Sequence, residues 1–147
     1  MKRAKYYQAA PNAMQAMMGL EKANAESVLP LSLRELVRIR ASQINGCAYC
    51  IDMHTKDALK AGEEVRRLMA LTAWRETAFF DERERAALLW TETLTEVATR
   101  HAPDDIYQQV AAQFNDQELA ELTFVIAAIN AWNRFGVGFA MQPALGD

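Results

Sequence analysis

Residues 45–54 read NGCAYCIDMH and hold both cysteines of the chain, Cys47 and Cys50, with one of its two histidines, His54. Two thiols and an imidazole at this spacing can hold a metal, attach a haem or run disulfide chemistry. On a helix, positions three, four and seven apart share a face, so the three side chains would line one stripe with Cys47 in the first turn. The unpaired N–H groups and the helix dipole there favour a thiolate over a thiol. A dithiol so placed closes into a disulfide with little backbone motion when its Cα atoms lie about 4.4–6.8 Å apart.

The competing chemistries differ in what else they need. Haem attachment requires C-x-x-C-H, and Ile51 follows Cys50. A thioredoxin-like motif requires a βαβ context. A structural zinc site could use Cys47, Cys50 and His54, with Glu35 or His101 as the fourth ligand. Such sites usually join two segments of a core-poor domain, whereas these three residues share one helix. The plainest alternative is two small buried residues beside a surface histidine. Redox chemistry accounts for the stripe most economically, and it requires neither metal nor cofactor.

The totals bound the setting. The chain has 147 residues, 51% hydrophobic and 24% charged, which suits a single domain over residues 1–147 with its own core. Its net charge of −3 lacks the basic excess of a nucleic-acid binder. The start, MKRAKYYQAAPNAMQAMM, has no apolar run of signal-peptide length, and LTFVIAAINAW is about half of a bilayer span. A cytoplasmic protein without membrane contact is expected. Thiols are normally reduced in that compartment, so the pair is read as catalytic or metal-binding, not as a staple.

The elements that must position these residues are helical throughout, and six to seven helices are expected. The first runs from Pro11, a favoured first-turn residue, to about Ser27, with Met14, Met17, Met18 and Leu20 turned inward as core filler. The second covers 33–44 behind an S-x-x-E capping box of Ser32 and Glu35, with Leu33, Leu36, Val37, Arg40, Ala41 and Ile44 on one face. Asn45-Gly46 breaks it, and a third runs from Cys47 to Ala61 with Gly62 as its stop. A short helix follows over EEVRRLMAL. Asp81 and Glu84 box the next (ERERAALLWTETLTEVA), another spans DDIYQQVAAQF, and Asn115 and Glu118 box the last, QELAELTFVIAAINAWNRF. An all-α domain is expected.

Glu35 has two readings. It closes the capping box, or it acts from the face it shares with Ile39 and Ser42, opposite the main apolar stripe; that face must then be covered too. The very short loop at residues 45–46 folds helices 33–44 and 47–61 back on each other, which brings Glu35 opposite residues 54–57. Toward the turn the order becomes Glu35, His54, Cys50, Cys47. That is the order of a relay in which a carboxylate orients an imidazole and the imidazole deprotonates a thiol.

The pattern E-x11-C-x-x-C-x3-H, read as Glu35, Cys47, Cys50 and His54, resembles the active-site signature of the alkylhydroperoxidase AhpD-like branch of the carboxymuconolactone decarboxylase superfamily. The surrounding LRELVRIRASQINGCAYCIDMHTKDALKAGE and the later WRETAFFDERERAALLWTETLT extend the likeness over residues 30–98. The resemblance implies an all-helical bundle of the AhpD-like type, homo-oligomers that are commonly trimers or hexamers, and an antioxidant alkylhydroperoxide reductase. It implies that Cys50 attacks the peroxide, Cys47 resolves the sulfenic acid to a disulfide, and His54 with Glu35 relays the proton. It also implies that a dithiol or lipoylated partner restores the pair. AhpD carries a histidine between the cysteines where this chain has Tyr49. A tyrosine, with a pKa of about 10, is no base at neutral pH, so Tyr49 is read as a site-lining group. The departure makes weaker peroxidase activity, or general thiol–disulfide exchange, the alternative within enzymes. A zinc-stabilised helical oligomerisation protein is the alternative outside them.

Other residues have structural readings. His101 in TRHAPDD is assigned to a loop or helix end. Trp74, Trp90 and Trp132 are assigned to the core or a subunit contact, Tyr6 and Tyr7 are candidates for a subunit boundary, and Arg134 is a candidate partner for a carboxylate.

Overall fold

Helix α3 (Leu31–Asn45) forms the axis of the structure, a computed structural model describing residues 1–146. Every side chain from Leu33 to Ile39 is buried, as are Ala41 and Ser42. A helix apolar on one stripe needs one neighbour, whereas this one is enclosed all round. It packs on α4 (Ala48–Lys60), α6 (Glu82–Thr95) and α9 (Asp116–Gly138). Leu33 and Val37 join Trp90, Phe114, Leu122 and Val125 in one core cluster, and Leu36 and Ile39 join Leu71, Trp74, Phe80 and Leu88 in a second. Ala41 joins Cys47, Cys50 and Ile129 in a third. The second face of α3 is therefore covered, as a role for Glu35 requires.

The remaining elements are α1 (Tyr6–Ala9), α2 (Pro11–Ala25), α5 (Val65–Met69), a 3-10 segment (Leu71–Glu76), α7 (Val97–Arg100) and α8 (Asp104–Ala111). That makes ten helical segments and no strand among the described residues, against the six to seven helices expected. The extra ones are short: α1, the 3-10 segment and α7 have no 3.6-residue apolar period long enough to read. The capping boxes at Asp81–Glu84 and Asn115–Glu118 form with both reciprocal bonds. The box at Ser32–Glu35 does not: α3 begins behind Pro30 without a side-chain cap, Ser32 lies inside the first turn, and Glu35 is free for other partners. Helix α9 runs three residues beyond its expected end at Phe135 and carries Gly136 into the interior. No helix of the described residues is long and apolar enough to cross a membrane.

Buried polar groups fasten the axis. Glu92 of α6 accepts from Trp74 Nε1 at 2.9 Å, Arg75 Nη1 at 2.7 Å and Arg40 Nε at 3.1 Å, tying the 3-10 segment and α3 to α6. Burial alone would raise its carboxyl pKa; these bonds outweigh burial and hold it below the ordinary value. Asn45 Nδ2 donates to both Asn130 Oδ1 and Asn133 Oδ1 at 2.9 Å, and Asn133 Nδ2 donates to Ser42 Oγ at 2.9 Å, joining the end of α3 to α9.

The turn that aims α4 rests on Gly46. It closes α3 in the left-handed region, at φ 67° and ψ 34°, and the Cys47 N–H donates to Ser42 O at 3.0 Å. Nothing lies within 4 Å of a Cβ added at Gly46, so a side chain there would meet only backbone strain. Gly46→Ala is expected to lower stability in urea unfolding by about 1 kcal/mol while leaving the fold intact by circular dichroism. An unchanged midpoint would mean that the turn does not require its left-handed residue.

Candidate active site

Cys47 is the N-cap of α4, in extended conformation, and its Sγ accepts the Cys50 N–H at 3.3 Å. A cap residue must stay outside the helix while its side chain reaches back to the first free N–H groups, and a thiol does this here in place of the usual hydroxyl or carboxylate. Cys47 and Cys50 are joined as a disulfide with Cα atoms 5.3 Å apart, within the range that lets a pair open and close without moving the backbone. In this bonded state neither sulfur is a free thiolate.

One turn on, His54 Nδ1 lies 3.1 Å from Glu35 Oε2, and Arg38 Nη1 donates to Glu35 Oε1 at 2.6 Å. Glu35 is only 3% exposed. Burial alone would raise its pKa; the hydrogen bond and charge of His54, together with Arg38, outweigh that and hold the carboxyl below its ordinary value. An ionised carboxylate only accepts, so His54 presents Nδ1–H to it, which leaves Nε2 as the ring nitrogen able to exchange a proton. The antiparallel arrangement of α3 and α4 thus places Glu35 opposite His54, as the short loop requires. The exposed Asp57 also stands near: one ligating atom from each of Glu35, His54 and Asp57 falls within 4.8 Å of the others. Neither cysteine nor His101 belongs to that group, and Arg38 already occupies the cation position beside Glu35.

Cys50 and His54 open into a pocket of about 310 Å³ lined also by Tyr6, Met14, Met18, Tyr49, Met53 and Trp132. Cys47 does not line it. At 1% exposure it stands behind Cys50, against Ile129 and Ala41. The pocket wall is apolar apart from Cys50, His54, the two tyrosines and Glu21, whose carboxylate accepts from Trp132 Nε1 at 2.8 Å. Gly136 closes the wall at the sulfurs.

Some of the sequence readings change here and others hold. The methionines of α2 are not core filler: none is buried, Met18 is 52% exposed, and Met14 and Met18 form pocket wall. Tyr6 packs within the chain, stacked on Phe135 with centroids 4.7 Å apart, while Tyr7 stays exposed. Trp74 and Trp90 are core residues, and Trp132 is half-buried in the pocket wall. Arg134 donates to Asn130 O instead of meeting a carboxylate. His101 is exposed at a helix end, with φ 56°. Sequence reasoning missed Arg38, whose signal was its place three residues after Glu35. It also missed Gly136, whose signal was a glycine beside an apolar helical run.

Comparison with known proteins places this geometry among relatives. The profile of the carboxymuconolactone decarboxylase family matches residues 11–93. The uncharacterized protein YdfG of Bacillus subtilis is 40% identical over 97% of each chain. A solved structure from Agrobacterium tumefaciens superposes with a TM-score of 0.95 at 39% identity, covering 99% of this chain and 100% of its own. It is described as a protein of unknown function and suggested to be the antioxidant defence protein AhpD. An uncharacterized peroxidase-related protein from Silicibacter shares the fold at 22% identity, with a TM-score of 0.80 over 89% of this chain and 70% of its own.

The lowered Glu35 pKa carries a definite pH dependence. A depressed carboxyl stabilises the fold fully above its unfolded value, about 4.3, and that stability is lost as pH falls through the lower folded value. Urea midpoints measured from neutral to about pH 3 should fall on acidification, and Glu35→Gln should flatten part of that slope, the part due to Glu92 remaining. Parallel slopes for the two proteins would show that Glu35 is not held ionised by the fold.

Proposed function

The chain belongs to the carboxymuconolactone decarboxylase family, and we propose that it is a dithiol peroxidase which reduces organic hydroperoxides through Cys50 and Cys47. The observation that carries this reading is the unequal placement of the sulfurs: Cys50 faces the apolar pocket beside His54, while Cys47 lies behind it. A peroxide entering the pocket meets Cys50 first. The dipole of α4 acts on both cysteines, but only Cys50 shares the pocket with an imidazole, so Cys50 is the attacking sulfur.

In the reduced enzyme His54 takes the Cys50 proton, and Glu35 holds the ring and offsets the charge it gains. The thiolate attacks the O–O bond, forming S–O and breaking O–O; His54 returns its proton to the departing alkoxide, giving the alcohol. The Cys47 thiol then attacks the Cys50 sulfenic acid, forming the S–S bond and releasing water. A dithiol donor, free or carried on a lipoyl-like arm, reduces that bond and takes up its oxidising equivalents. Tyr49 lines the same pocket, and its hydroxyl is a hydrogen-bond donor for a bound oxygen there.

Cys50 is 3% exposed at a pocket of this size, a situation that favours a small substrate or a slender arm over the disulfide of a folded protein. General thiol–disulfide exchange between proteins is the weaker reading for that reason. A homo-oligomer, trimer or hexamer, would cover apolar side chains that a single chain leaves in solvent, Phe124 and Met69 among them. The thiol cycle suits the reducing cytoplasm.

Intact mass of the reduced protein before and after one equivalent of cumene hydroperoxide tests the reading. The mass should fall by two hydrogens, Cys47→Ser should instead gain one oxygen, and Cys50→Ser should not react. Two thiols still free after treatment would sink the proposal. Under saturating reductant, His54→Gln should slow peroxide consumption at neutral pH by about a hundredfold, and the loss should shrink as pH rises and Cys50 ionises unaided. A pH-independent loss would assign His54 to packing.

A further inference from the structure

Gly136 stands on the last turn of α9 and is buried against the sulfurs. A Cβ built there would lie 2.4 Å from Cys47 Sγ and 3.2 Å from Cys50 Sγ, with Cys47 Cβ next at 3.9 Å. The three nearest atoms outside the local helix all belong to the two cysteines, so the dithiol packs into the space left by the missing side chain. The helical conformation does not require glycine at this position, since no positive φ is found there. Glycine inside a helix is unfavourable relative to alanine, so the contact with sulfur is what accounts for it.

We propose that Gly136 is a positioning residue that sets the thiol–disulfide equilibrium of Cys47 and Cys50 by leaving room for the bonded sulfurs. The inference rests on the redox reading of the site and adds to it a residue remote in sequence. The two states respond differently to added bulk. In the disulfide both sulfurs are fixed by the S–S bond and neither can turn about its own Cα–Cβ bond without breaking it. In the dithiol no S–S bond holds the Cys47 sulfur, and rotation about its Cα–Cβ bond can relieve the contact with α9. A methyl group at residue 136 therefore penalises the oxidised state more than the reduced one.

The test uses glutathione buffers and no peroxide, which separates this inference from peroxidase activity. Two electrons and two protons pass from the dithiol to glutathione disulfide, yielding the protein disulfide and two molecules of glutathione. Gly136→Ala should shift the equilibrium at least tenfold toward the dithiol, about 30 mV in potential. Gly138→Ala, on the same helix with nothing within 4 Å of its added Cβ, should leave the equilibrium unchanged. Melting should follow the same division: Gly136→Ala lowers the melting temperature of the oxidised protein but not of the reduced one. Should the oxidised variant fail to fold, Gly136→Ala in a Cys47→Ala background should melt no lower than Cys47→Ala alone, because the closest sulfur is gone. An equilibrium equal to that of the unmodified protein, or a double variant as damaged as Gly136→Ala, would overturn the inference alone. A wild-type pair that stays reduced in every buffer would overturn the redox reading and this inference with it.

Discussion

An ionised carboxylate in a protein interior is tolerated only where its charge is answered at close range, and Glu35 is such a group at the centre of the structure. Arg38 answers it from its own helix and His54 from the neighbouring one. The second partner places a condition on the whole fold: α4 must run back along α3 in one register, because a slip of one residue would turn His54 away by about a quarter of a turn. Enclosure of α3 by α4, α6 and α9 makes the carboxylate buried in the first place. Packing creates the electrostatic problem, and Arg38 and His54 resolve it.

The same turn organises the sulfur chemistry. Gly46 stops α3 in the left-handed region, and Cys47 immediately caps α4, so its sulfur is held at the helix start and away from the pocket. Cys50, one turn on, is left at the pocket wall with His54 a further turn along. Two cysteines at the start of one helix thus become unequal through what each faces. That difference, more than the depth of burial, underlies the division of labour proposed for them.

Much of this was legible in the residues alone. Apolar periodicity located all the long helices, and two of three capping boxes formed as read. Counting from the short loop brought Glu35 opposite His54 because antiparallel helices joined by a tight turn have little freedom of register. The Ser32–Glu35 box failed because the same residue cannot both turn back to a helix end and face a histidine on α4, and Pro30 starts the helix early enough to free it. The pocket wall was not legible. Methionine satisfies a core pattern and a pocket pattern alike, so only the position of α2 against the site distinguishes Met14 and Met18 as wall. Gly136 was hidden for a similar reason: its closeness to Cys47 joins segments 89 residues apart, and no local rule reaches across that distance.

In the proposed cycle Cys50, and not the cap residue Cys47, is the sulfur activated for attack. Reduced protein treated at neutral pH with less than one equivalent of iodoacetamide, then digested and mapped by mass spectrometry, reads this directly, since alkylation follows thiolate character and access. Carbamidomethyl label should concentrate on Cys50, with that preference weakened in His54→Gln. Label found first on Cys47, or shared equally between the two and indifferent to His54, would contradict it.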